Sequence, residues 1–143
     1  MARFSETVTA AASLDKSWET LQNAAVWGAL LGAAEISDIR ADDGLLQACA
    51  WTAKIGGSEL NGTMRVTESE PRARMVMRIR AAEWRGRIEM MLEAVDGSET
   101  RLHARLELTA DGFTALLALP IVSNVVGRHL PERMAELVEF VEG

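Results

Sequence analysis

From Arg3 to Ala10 apolar and polar side chains alternate, with Phe4, Glu6 and Val8 on one side and Arg3, Ser5, Thr7 and Thr9 on the other. A period of two marks a half-buried strand. Helical spacing follows. Leu14, Trp18 and Leu21 share one side of a short helix that Ser13 is placed to cap, and Asn23 is placed to cap a second, Ala24 to Leu31, which Gly32 ends. From Ala34 to Ala110 the period returns to two. It is broken by turns at Ala41–Gly44, Ile55–Ser58, Glu70–Arg72, Ala82–Glu83 and Asp96–Ser98, most of them carrying Gly, Pro or Asp. Asp111 then stands where a cap belongs, and helical spacing continues from Gly112 to Glu142. Pro120 and Pro131 fall inside that stretch, and each removes a backbone donor and bends or breaks the helix.

One strand, two short helices, six strands in unbroken succession and a long helix predict an α+β domain spanning residues 1–143. Its curved seven-stranded antiparallel sheet wraps around the C-terminal helix, with the two short helices between strands 1 and 2. That layout encloses a hollow. Strand parity gives its expected wall: Cys49, Trp51, Met64, Val66, Met75, Met77, Ile79, Trp84, Ile88, Met90 and Leu106, with Trp18 from the first helix. Methionine adapts to irregular shapes and tryptophan offers a flat apolar surface. The same residues also suit a filled core.

The opposite sheet face reads as wet. Arg74, Arg78, Arg80, Arg85, Arg87, Glu89, Glu93, Arg101, His103, Arg105 and Glu107 alternate with the apolar set, and we expect interleaved Arg–Glu pairs in water.

Within the last helix, Leu130, Met134, Leu137, Val138 and Val141 form an inward stripe opposite Arg128, Glu132, Glu136 and Glu139. Extended towards the N-terminus it predicts Leu116, Leu119, Ser123, Val126 and Gly127 as inward-facing. Ser123 and Gly127 are small, so they either leave room for a ligand or let helix and sheet pack closely; we expect room. On the other side Phe113, Leu117, Ile121 and Val125 recur every four residues. Such a patch suits a gate to the hollow, a homodimer contact or a peripheral membrane contact.

Composition narrows the function. The net charge is −6, from 21 acidic residues against 15 lysines and arginines, so nucleic acid is not the expected partner. The single cysteine, Cys49, cannot form an internal disulfide, and the N-terminus enters a strand without a signal-peptide pattern, so a cytoplasmic location is expected. Catalytic chemistry is thin. There is no tyrosine, His103 belongs to the wet face and His129 to the outer side of the last helix. No metal or cofactor is expected. Glu6, sharing a side with Phe4 and Val8, is the one weak candidate for a general acid or base. Asp38 and Gln47 are weaker polar candidates.

Phe4-Ser5-Glu6-Thr7-Val8-Thr9-Ala10 followed by Leu14-Asp15-Lys16-Ser17-Trp18-Glu19 resembles the opening of the START-like (SRPBCC) superfamily, a strand ending in Ala and then a short helix bearing a Trp. Leu60-Asn61-Gly62-Thr63-Met64-Arg65-Val66 is similar to its middle strands, and the run from Asp111-Gly112-Phe113 to the C-terminus resembles its final helix. The resemblance covers the whole chain. It implies the helix-grip arrangement of Bet v 1-like proteins, polyketide cyclases and lipid-transport domains, with further similarity to small proteins associated with carbon-monoxide dehydrogenase. Binding or carriage of a hydrophobic small molecule, a lipid or polyketide-like compound, is the implied function. A cyclase or dehydratase, or an assembly protein docking through the last helix, is the alternative.

Overall fold

The computed structural model describes residues 1–55 and 57–143; Gly56, part of one expected turn, and the side chains of Ile55 and Val125 lie outside the described set. Strand β1 (Ala2–Ala10) leads into helices α1 (Leu14–Thr20) and α2 (Ala24–Leu31). Six strands follow: β2 (Glu35–Asp42), β3 (Leu45–Ile55), β4 (Ser58–Glu70), β5 (Arg74–Ala81), β6 (Trp84–Asp96) and β7 (Glu99–Ala110). The chain closes with α3 (Phe113–Arg128) and α4 (Leu130–Glu142). All strand pairs are antiparallel, in the spatial order β1-β7-β6-β5-β4-β3-β2.

The local signals for the short helices act as expected. Ser13 Oγ accepts from Lys16 N at 3.1 Å, Asn23 Oδ1 accepts from Ala25 N at 3.0 Å, and Gly32 closes α2 in the left-handed region at φ 70°. Trp27 is fully buried and donates from Nε1 to Leu21 O at 2.7 Å, which locks α2 onto α1. Arg133 of α4 lies over Gly32 and donates to Leu30 O at 3.5 Å, placing a cation at the C-terminal end of α2 where the helix dipole favours one. Burial lowers the pKa of this guanidinium.

The C-terminal helix departs from the single rod expected. It passes through Pro120 but breaks at His129 (φ −92°, ψ −1°), and Pro131 then sits in the first turn of α4, where its missing donor costs nothing. Residues Phe113–Glu142 reach a mean hydropathy of 1.3 over a window of spanning length, yet α4 spends its apolar side on the core. Leu130, Met134, Leu137 and Val141 are all buried, each contributing about 1.5–3 kcal/mol relative to exposure.

The break changes the phase of α3. Ala115 and Val126 are buried and Leu119, Val122 and Ser123 half-buried, whereas Leu116, expected inside, is 58% exposed. Counting back from Leu130 at a spacing of four, the inward positions are 126, 122 and 118, with 115 and 119 beside them. Leu116 turns outward, towards Phe113 and Leu117.

Asp111 does not cap α3. It pairs with Arg85, and Gly112 takes the cap position without a side-chain hydrogen bond. The Glu83 carboxylate instead reaches over from the β5–β6 turn and accepts from Ala115 N at 3.2 Å. A carboxylate at that end also complements the helix dipole.

Candidate functional site

The inner sheet face is mostly filled. Trp18, Cys49, Met64, Met75, Met77, Ile88, Met90 and Leu106 are all buried in one continuous apolar cluster with α1, α2 and α4. These eight candidates are core residues. Burial raises the Cys49 thiol pKa above its ordinary value, so the group stays neutral and behaves as a small hydrophobe.

The room expected at Gly127 is also taken. A Cβ there would fall inside the Phe4 ring, so the ring of β1 packs directly on the helix backbone. Close packing, the competing explanation for a small residue here, is what the glycine serves.

Space remains at the other end of the sheet. An apolar cavity of about 50 Å³ lies between the strands and α3, walled by Trp51, Ala53, Leu60, Ile79, Ala81, Trp84, Arg85, Gly86 and Leu108, with Val122 and Val126 above and Leu31 of α2 beside them. Of the expected wall, Trp51, Ile79 and Trp84 are brought together here, and Val126 of the expected inward stripe joins them. Leu31, Ala53, Leu60, Ala81 and Leu108 are wall residues that sequence reasoning missed. The inward parity of their strands is visible in the sequence, but the side on which α3 lies is not.

Small residues shape this wall. Trp51 of β3 is paired with Gly62 of β4, and its indole lies directly over that glycine. Gly86 faces Ile79 across the next pair. The side chains opposite each large group are therefore absent, which lets Trp51 lie flat against the sheet.

Two buried polar atoms among the described residues have no hydrogen-bond partner: Trp51 Nε1 and Ser123 Oγ. Trp51 is 6% exposed and forms part of the cavity wall, and Ser123 is next in sequence to the wall residue Val122. A buried donor left unpaired costs about 1–3 kcal/mol. The cavity is otherwise apolar.

Glu6 is half-buried on the inner side of β1, opposite Ala104, and is not part of the cavity wall. Asp38 and Gln47 are exposed. Pairing of β2 with β3 shifts register between Ser37 and Arg40 and again before Ala41, so the alternation used to place them inside does not hold there. His103 bonds Thr7 Oγ1 on the outer face, and His129 is exposed at the helix break, beside Glu132. Among the described residues no group of three or more His, Cys, Asp or Glu side chains is placed to hold a metal.

The outer side of α3 is apolar. Phe113, Leu117 and Ile121 are exposed as expected, and Leu116 joins them; the fourth member of the expected stripe, Val125, has its side chain outside the described set. This helix also covers the cavity, through Val122 and Val126.

No family model matches the sequence, and no curated protein matches it. Solved structures do. A START superfamily protein from Mycobacterium smegmatis superposes with a TM-score of 0.70 at 16% identity, covering 96% of this chain and 94% of its own. The Zhui aromatase/cyclase from Streptomyces sp. R1128 gives 0.64 at 17% identity, covering 98% and 86%. TTHA0849 from Thermus thermophilus gives 0.76 at 13% identity, covering 98% and 97%. At these identities the likeness is one of fold, and it extends over every element from β1 to α4. The chain has the START-like helix-grip fold, a seven-stranded antiparallel sheet closed by a long C-terminal helix and two short ones.

Proposed function

We propose that the protein binds a small hydrophobic molecule in the cavity beneath α3, and that the ligand carries one hydrogen-bond acceptor. The observation behind this reading is the pairing of an apolar wall, built by Trp51 and Trp84, with a buried Trp51 N–H that nothing in the protein satisfies. Ligand sites are largely apolar with a few placed polar groups. The likeness to a START superfamily protein and to an aromatase/cyclase favours the same reading.

The closed cavity, at about 50 Å³, is far smaller than the ~300–1,000 Å³ of typical ligand sites. Entry therefore requires α3 to move. This helix is the least anchored of the cover: Ala115 and Val126 are its buried apolar residues, while α4 buries four. The break at His129 allows α3 to swing without disturbing α4. We assign α3 the role of lid, and the exposed Phe113, Leu116, Leu117 and Ile121 the role of its entrance surface.

Filling the cavity tests the site. Val122→Phe is expected to weaken uptake of an apolar fluorescent probe such as Nile red at least tenfold, with the unfolding midpoint little changed. Undiminished uptake by the variant would overturn the assignment. The lid is tested separately by Leu117→Glu with Ile121→Glu, which leaves the sheet untouched. We expect slower probe entry and an unchanged solution mass. A halved mass would make the stripe a homodimer contact, and loss of liposome sedimentation would make it a membrane contact.

A further inference from the structure

The outer face of the sheet carries charge in a pattern that alternation within single strands does not reveal. Strand pairing sets Arg40 across from Ala48, Ala48 across from Arg65, Arg65 across from Arg78, and Arg78 across from Arg87. One row of arginines thus crosses five strands, roughly 19 Å at ~4.8 Å per strand. Beside it, Arg80 faces Arg85. The expected interleaving of Arg with Glu holds elsewhere on this face, as at Glu89–Arg105 and Glu93–Arg101, but not here.

Like charges placed directly opposite one another destabilise a sheet. Arg87 and Arg85 are partly compensated, by Glu68 and Glu89 at 3.8 and 3.7 Å and by Asp111. Arg40, Arg65, Arg78 and Arg80 have no carboxylate within 4.0 Å among the described residues. This local excess of positive charge stands out in a chain of net charge −6. Depressions flank the row: one of about 530 Å³ over Ala48, Ala50 and Thr63 between Arg40 and Arg65, and one of about 290 Å³ walled by Arg78, Arg85 and Arg87.

The chemistry of the face selects among anions. The aromatic residues of the strands, Phe4, Trp51 and Trp84, all pack on the other side. Nucleobases therefore find no stacking platform, and a protein partner finds no aromatic anchor. Guanidinium forks match phosphoryl oxygens in pairs, which lysine does not. The geometry points to a binding site for a chain of phosphoryl groups on this outer face, centred on Arg65, Arg78 and Arg80. It is independent of the cavity.

Titrating the full chain with sodium tripolyphosphate at low ionic strength, against sodium chloride of matched ionic strength, tests the site by calorimetry and thermal unfolding. We expect saturable binding and a rise in Tm that chloride does not give. The double variant R65Q/R78Q should bind at least tenfold more weakly, while its Tm without ligand stays the same or rises because the cross-strand repulsion is gone. R101Q, which loses a pair with Glu93 on the same face, should bind like the parent. Should the double variant fail to fold, R80Q carries the same test. Absence of saturation, undiminished affinity in R65Q/R78Q, or equally tight binding of a polyglutamate peptide would overturn the site. So would binding to phosphatidylglycerol vesicles without binding to tripolyphosphate.

Discussion

Replacing Gly62 by alanine is expected to destabilise the fold by about 3 kcal/mol, the upper end for overpacking a core. An added Cβ would lie within 3.0 Å of the Arg80 carbonyl oxygen and of Trp51 Cε2 at the same time. The carbonyl belongs to the neighbouring strand, where Thr63 is paired with Arg80, so it moves only if the ladder moves. Trp51 is nearly fully buried, and its escape route is upward into the small cavity. The variant should therefore lose stability and cavity volume together. A loss of about 3 kcal/mol corresponds to a fall in Tm of roughly 6–12 °C for a chain of this size. Gly127→Ala makes a useful contrast. There the obstacle is the half-buried Phe4 ring, which can rotate away, and alanine gains about 1 kcal/mol of helix propensity. Urea unfolding of both variants checks the ranking. A Gly62→Ala loss below about 1 kcal/mol, the lower end for overpacking, or a larger loss in Gly127→Ala, would show that the indole does not depend on the glycine.

Local chemistry made most of the architecture legible. Ser13, Asn23 and Gly32 punctuate α1 and α2 by side-chain and backbone preferences that act over three or four residues. Alternation placed Met75, Met77 and Ile79 on the inner face, because successive residues of a strand point to opposite sides whatever lies beyond them. What stayed hidden depends on partners distant in sequence. Gly127 reads as empty space until β1 brings Phe4 onto it. Leu116 reads as core if residues 112–142 form one helix, and the break at His129 moves it outward. Asp111 is a good cap by type, but Arg85 holds it and Glu83 does its work.

The charged face shows the same division. Parity within each strand correctly separates wet from dry, yet says nothing of which residue stands opposite which. Register decides that. It gives Glu89 three arginine neighbours and gives Arg78 two arginines and no acid. One face thus holds a compensated cluster beside an uncompensated row, from strands whose sequences look alike.

Glu89→Gln is expected to remove about 2–3 kcal/mol at neutral pH, somewhat below the usual cost of breaking a buried ion pair because the arginines around it keep some contact with water. Glu89 is 7% exposed on a face that is otherwise wet. Its carboxylate accepts from Arg74 Nε at 2.6 Å, with Arg87 at 3.7 Å and Arg105 at 4.0 Å. Glutamine cannot balance these cations, so three guanidiniums would crowd one another above the buried Val76. The Arg74 hydrogen bond, followed by the attraction of Arg74, Arg87 and Arg105, holds the Glu89 pKa below its ordinary value of 4.5. Unfolding releases the carboxylate to that ordinary value. The unfolded chain therefore takes up the proton first as pH falls, and the stabilisation, complete above pH 4.5, declines as pH drops through the folded value. Urea midpoints of the parent and Glu89→Gln should differ most at pH 7 and converge by pH 3. A gap that stays constant between those values would mean that Glu89 acts through packing rather than charge.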